Sequence, residues 1–466
     1  MTVARDGAAM QAAASGNPLE ASGTGSRCRG RARARDVDVT PARSRPARPS
    51  TRPLRRLLTC LLCGALLAGC TTLTRLPSPL PGYPNAAPAG FPPTIRWDGE
   101  MSQQQFKAWA AAHLGGIERA AHGRPVNILV LSGGGGAGAF GAGILVGWSR
   151  YGTRPEFQMV TGVSVGALIA PFAFLGPKWD GRLSEAFNGV TARPLLRYRF
   201  LGWLSALFGW SVFQGGPLHT RVDRFVTPRL LRAVARQAAR GRLLLVATTN
   251  LDSEQVVVWN MGAIAAQGGP KALQLFRRVL IASASIPGFF PPMLIPVQAS
   301  GRRFDELYVD GSTAASILFA PEIISVLPNR LTPLRDAHVY LVINGQLREK
   351  PITTSTRTIP ILERSLGTAL SSDERARVEL AYSFAQRHQM HLEVTEIPTS
   401  YPLGGLVSGL DPGRMKALFQ YGERCATEGR IWGHPLGVLN RLADVPHVLP
   451  RDEVPCPERG APAASR

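Results

Sequence analysis

Two glycine-bearing segments lie one strand apart in this chain, Gly133-Gly134-Gly135-Gly136-Ala137-Gly138 and Gly162-Val163-Ser164-Val165-Gly166. Each demands a strand that breaks into a tight turn and passes directly into a helix. Residues 126–131 are apolar and read as a buried strand, and 139–148 carry the small and apolar residues of a helix. The second segment repeats the layout, with a strand over 157–161 and a helix starting at Val165. A glycine run admits positive φ and close approach, so successive amides can converge on one point at a helix N-terminus, where negative charge is favoured. Gly133, Gly134, Gly135, Gly136 and Gly138 are therefore candidate oxyanion donors. Gly162 and Gly166 leave room for a nucleophile elbow that exposes Ser164. The pair outlines a serine hydrolase.

A serine hydroxyl is a weak nucleophile without a base. The downstream candidate is Asp310 in Leu307-Tyr308-Val309-Asp310-Gly311-Ser312, a carboxylate ending an apolar strand; an isolated Asp-Gly would be an ordinary turn. A Ser–His–Asp triad remains open through His338, His388 or His391, each of which can equally be a packed strand residue. Gly133-x-Gly135-x-x-Gly138 also fits a dinucleotide fingerprint. That reading needs an acid at the end of the second strand, and the nearest, Glu156, precedes it.

Further along, 242–249 and 255–259 read as a strand pair, 271–284 as a helix, 337–343 as a strand, 359–387 as a long helix, 391–397 as a strand and 412–426 as a closing helix. A helix over 102–120 leads into the first strand. Alternation of this kind predicts an α/β fold with a mainly parallel sheet covered on both faces.

The blocks from Leu131 to Gly143, from Thr161 to Leu168, Ala282-Ser283-Ala284-Ser285-Ile286-Pro287-Gly288-Phe289-Phe290-Pro291-Pro292 and Asp310-Gly311-Ser312 together resemble the patatin-like phospholipases, over roughly Ile128 to Asn344. The resemblance implies a three-layer α/β/α domain. It also implies a Ser164–Asp310 dyad without histidine, metal or cofactor, an oxyanion hole at the amides of Gly134, Gly135 and Gly136, and phospholipid or lysophospholipid esters as substrates. Two departures stand out: no Arg or Lys lies within the glycine loop, and Ser312 replaces the glycine or alanine usual after Asp-Gly. Rival readings are a catalytically silent lipid-binding or envelope-scaffolding protein of the same fold and a nucleotide-binding oxidoreductase.

The 466 residues carry a formal charge of +21. Residues 1–70 supply +8 of it through 12 Arg against 4 acidic residues. Residues 1–50 read as a disordered leader or a start assigned too early. Residues 51–69 read as a signal peptide, with Arg52, Arg55 and Arg56 before the apolar run 57–68, and Leu67-Ala68-Gly69-Cys70 has the form of a lipobox. Lipidated Cys70 and a Pro-rich tether to residue 100 would hold a hydrolase domain, 101–430, on a membrane, followed by a tail, 431–466. Thr71 after the cysteine favours a periplasm-facing envelope lipoprotein at the outer membrane. The charge that remains then suits anionic lipid at least as well as nucleic acid, so a membrane lipid rather than nucleic acid is the expected partner. Once the leader is gone only Cys425 and Cys456 remain, as a disulfide or as two thiols. The stretch 200–213 is rich in aromatics and suits either an acyl-chain wall or lid, or core packing.

Overall fold

The computed structural model describes residues 75–77, 86–99, 101–188, 211, 215–319, 334–348, 351–433 and 454–457. The leader, the signal segment, Cys70 and most of the Pro-rich tether lie outside these residues. So does the aromatic stretch 200–213, apart from Ser211.

Both glycine segments sit where strand passes into helix. Strand β3 (Asn127–Leu131) reaches helix α2 (Gly138–Tyr151) through the glycine loop and its short 3-10 turn, Gly135–Ala137. Strand β4 (Met159–Val163) enters helix α3 (Val165–Leu175) at Ser164. The preceding helix α1 (Gln103–Ala121) starts at a reciprocal capping box between Ser102 and Gln105, which satisfies two of its unpaired amides.

The sheet contains ten strands. At its centre β5 (Leu243–Asn250), β4, β3, β9 (His338–Val342) and β10 (His391–Thr395) run parallel as neighbours. Antiparallel strands extend it: β6 (Gln255–Asn260) pairs β5, and the hairpin of β7 (Met293–Ala299) and β8 (Arg302–Asp310) joins β5 through β8. Two short strands, β1 (Ala87–Pro88) and β2 (Arg96–Asp98), close on β7 and β6.

Helices cover both faces, and side-chain alternation along β3 sorts them. Ile128 and Val130 belong to a core with Phe106 and Ile117 of α1 and with Val378 and Phe384 of α9 (Thr358–Arg387). Leu129 and Leu131 belong to the other core, with Phe140 and Ile144 of α2, Phe172 of α3 and Phe276 of α8 (Gly269–Ser283). On that face α2 packs closely on α10 (Pro412–Thr427), because a side chain at Gly143 or Gly147 would strike the α10 backbone. A disulfide between Cys425 of α10 and Cys456 ties the tail to this layer.

One feature of register positions the site. Strand β6 occupies one edge of β5 from Leu245 to Asn250. Both β4 and β8 must therefore lie along the opposite edge, where Val163 pairs with Ala247 and Asp310 pairs with Thr248. The two strands run toward each other and stop tip to tip.

Candidate active site

Ser164 follows the last residue of β4 with φ 55° and ψ −124°, a conformation that costs a non-glycine residue about 1–3 kcal/mol. The surroundings hold it there. Its amide donates to Ser283 Oγ at 2.9 Å, and that hydroxyl donates to Ala247 O at 2.7 Å. A side chain at Gly162 would meet the Gly166 carbonyl, and one at Gly166 would meet the carbonyls of Leu131 and Ser132. These contacts explain why both glycines flank the serine.

The Ser164 hydroxyl donates to Asp310 Oδ2 at 2.6 Å, while Asp310 Oδ1 accepts from the Ser312 amide at 2.8 Å. Both members of the pair are buried, Ser164 at 4% and Asp310 at 2% exposure. Burial lifts the Asp310 carboxyl from its usual 3.8 to about 6, against the opposing pull of the hydrogen bonds from Ser164 and Ser312. The Asp310 amide is itself anchored on Ser285 O at 3.0 Å. Gly311 is enclosed by Ala247 O and Val163, and the Ser312 hydroxyl lies against Gly133, so the departure from Asp-Gly-Gly fills space that only a glycine at 133 leaves.

The glycine loop divides into two kinds of amide. Gly133 N donates to Ser316 O at 3.1 Å, and Gly138 N turns back to the carbonyls of Gly135 and Gly136. These two amides are engaged, which corrects their assignment as oxyanion donors. Among the described residues, the amides of Gly134, Gly135 and Gly136 meet no acceptor. Gly134 and Gly135 take φ values of 133° and 56°, and a side chain at either would run into the backbone of Asn344 or Leu406. No cationic side chain lies within the loop, so what the loop itself offers a developing charge is its main-chain dipoles.

Several residues of this architecture went unnoticed in the sequence. Asn344 clamps both ends of the loop, its Nδ2 donating to Ser132 O at 2.9 Å and its Oδ1 accepting from Gly141 N at 3.1 Å. Asp373 of α9 receives both the amide and the hydroxyl of Ser316, the residue that holds Gly133. Glu363 accepts from the amides of Val407 and Ser408, fixing a segment whose Leu406 and Gly409 carbonyls lie over Gly135 and Gly136. None of these belongs to a short motif. Ser283 and Ser285 do lie in a block quoted for the family resemblance, which is the one signal that could have found them.

The histidines lie elsewhere. His338 and His391 stack at 4.9 Å at the starts of β9 and β10, in register with Asn127, and so occupy the strand ends opposite Ser164. His388 is buried against Phe384 beyond the end of α9. Glu156, the acid considered for a ribose, pairs with Arg242 at 2.8 Å.

Two cavities border the glycine loop. An apolar slot of about 90 Å³ starts at Ser164 and Gly135 and is walled by Leu168, Phe172, Leu218 and Phe290. A wider and more polar cavity of about 650 Å³ is bounded by Gly133, Gly134 and Ser312. A third, about 260 Å³ and lined by Trp97, Phe106 and Phe384, lies with the core on the other sheet face. Among the described residues no group of three or more His, Cys, Asp or Glu is placed to hold a metal ion. Within the same residues no helix is long and apolar enough to cross a membrane.

The family model for patatin-like phospholipase matches residues 129–321, the span that contains the glycine loop, the elbow and Asp310. Residues 129–321 are thus similar to the patatin-like phospholipases, and this similarity supports a lipid hydrolase. No curated protein matches the sequence. Among solved structures, the crystal structure of VipD from Legionella pneumophila is similar at 12% identity, covering 67% of this chain and 69% of that one, with a TM-score of 0.29.

Proposed function

We propose that the protein is a phospholipase or lysophospholipase-type esterase that works through a Ser164–Asp310 dyad and an acyl-enzyme. The observation that carries this reading is the 2.6 Å hydrogen bond from an elbow serine held at positive φ to a buried carboxylate. With its proton affinity raised by burial, Asp310 is a better base than an aspartate in water. It would take the proton from Ser164 Oγ as that oxygen attacks the ester carbonyl. Negative charge then develops on the carbonyl oxygen, facing the amides of Gly134, Gly135 and Gly136. As the tetrahedral adduct collapses, Asp310 returns the proton to the leaving alcohol and the acyl group stays on Ser164. Water then attacks the acyl-enzyme, giving its proton to Asp310, and collapse releases the fatty acid and restores the serine hydroxyl.

The apolar slot beside Ser164 suits the acyl chain, since its walls offer aliphatic and aromatic carbon close to the reacting atom. Gly133 and Gly138 act here as spacers, with Gly162, Gly166, Gly311 and Ser312 framing the dyad. We assign the lipobox at Cys70 to a membrane tether that brings this site to its substrate, as an envelope lipoprotein facing the periplasm from the outer membrane. A panel of phospholipids and lysophospholipids, with released fatty acids measured by mass spectrometry, tests the activity. Release that persists in Ser164→Ala, or no release from any lipid, would refute it.

A further inference from the structure

We infer that Ser132 and Glu374 are positioning residues for the oxyanion loop: the Ser132 hydroxyl holds the Gly133 carbonyl, and Glu374 stands behind that hydroxyl as a neutral carboxylic acid. This rests on the proposed hydrolase reading of Ser164. The Gly133 carbonyl and the Gly134 N–H belong to one planar peptide unit, so whatever fixes the first aims the second. Gly134 has no side chain and takes a φ of 133°, so its own residue restrains that plane weakly. Ser132 Oγ donates to Gly133 O at 2.9 Å and supplies the missing restraint. A bond accepted by the carbonyl also polarises the peptide and strengthens the N–H at its other end.

The Ser132 hydroxyl is itself fully enclosed, at 0% exposure. Its oxygen accepts from the Asn344 amide at 2.9 Å, and the same hydroxyl bonds the Glu374 carboxyl. Glu374 lies against the following residue too, its Oε2 standing 3.1 Å from where a side chain at Gly345 would begin. A hydroxyl has one proton and two lone pairs. A protonated Glu374 can donate to the second lone pair and leave the Ser132 proton on Gly133 O. An ionised Glu374 can only accept, so it competes with Gly133 O for that single proton, and it sets a negative charge beside the loop that must receive another.

The surroundings favour the neutral form. Glu374 is 5% exposed, and burial raises its carboxyl to about 8, with Asp373 and Glu396 pushing the same way and the bond from Ser132 opposing. Asp373 is held by Arg377, and Glu396 accepts from the Leu347 amide. Arg375 donates to Leu347 O, while Arg348, Glu363 and Arg364 line the cavity that Glu374 shares with Gly133 and Gly134.

The test is the alkaline side of the rate profile on p-nitrophenyl butyrate, corrected for spontaneous hydrolysis at each pH. About a tenth of Glu374 stays protonated at pH 9, so kcat should fall about tenfold between pH 7 and 9 with little change in KM. In Glu374→Gln the side-chain amide donates to Ser132 at every pH, and the fall should vanish. Ser132→Ala should lower kcat at pH 7 by about tenfold or more and show a smaller alkaline fall than wild type. Melting temperatures confirm folding, and should Glu374→Gln not fold, Ser132→Ala carries the comparison. A wild-type rate that is flat from pH 7 to 9, or an alkaline fall undiminished in the folded variants, would overturn the assignment and leave the hydrolase standing. Inertness toward the ester at every pH would overturn the hydrolase reading, and this assignment with it.

Discussion

Ser164 and Asp310 meet at 2.6 Å although 146 residues separate them, because β4 and β8 end against consecutive residues of β5, Ala247 and Thr248. Their contact is therefore written in strand register, and the side chains need only point the same way. Ser283 reinforces it by bonding both the Ser164 amide and the Ala247 carbonyl. A shift of either strand by one residue would turn the hydroxyl or the carboxylate to the opposite face.

Asp310→Asn should separate activity from stability. The folded protein holds this carboxyl at about 6 against an ordinary 3.8, so it binds the proton more tightly than the unfolded chain does. The associated stability is complete below about pH 3.8 and is lost as pH rises through 6. At pH 8 the buried charge costs roughly 3 kcal/mol as an upper bound, and the amide removes that cost while keeping an acceptor for Ser164. The variant should lose about two to four orders of magnitude in kcat and unfold at a higher denaturant concentration than wild type at pH 8.

The same shift fixes the acid limb of the rate profile. A base must be deprotonated, so kcat/KM should rise with pH and level off above about 6. A profile measured on a soluble ester, where substrate ionisation and aggregation do not interfere, checks this. Continued full activity at pH 4 would be inconsistent with Asp310 as the base.

Gly135→Ala probes the amides. The added methyl would run into the Leu406 carbonyl at a backbone angle of 56°, so the loop or the segment held by Glu363 must move. Displacing one donor should lower kcat by about a hundredfold to a thousandfold. KM should change far less, and circular dichroism should show the fold retained.

Cys456→Ser should weaken the tail's attachment without touching the site. The bond closes a loop of 31 residues, and chain entropy assigns such a crosslink about 3–4 kcal/mol. Denaturant unfolding should register that loss, with esterase activity at 25 °C preserved.

The glycine loop, the elbow and the parallel core were legible in the sequence because each is local: apolar runs of strand length, glycines at fixed spacing and helices directly behind them. The hairpin of β7 and β8 was not. Pro296 interrupts β7, where it sits beyond the two residues paired with β1, and Glu306 breaks the apolar pattern of β8. Glu306 is accommodated by Arg96 and Tyr308, and the arginine lies 210 residues away. Asn344 and Asp373 escaped notice for the same reason, since their partners Ser132 and Ser316 stand 212 and 57 residues off. The short helices Asp180–Phe187, Gly216–Phe225 and Pro228–Ala238 offer few turns of periodicity to read. Oxyanion candidates could be proposed from glycine spacing, but only the backbone bonds of Gly133 and Gly138 separate the engaged amides from those without an acceptor.

The central claim is that Ser164 is a nucleophile activated by Asp310. Peptide mapping after reaction with a fluorophosphonate probe tests it most directly. The account predicts a single phosphonyl adduct on Ser164, formed much more slowly in Asp310→Asn and absent from Ser164→Ala. Labelling at another serine, or at Ser164 with an undiminished rate in Asp310→Asn, would contradict it.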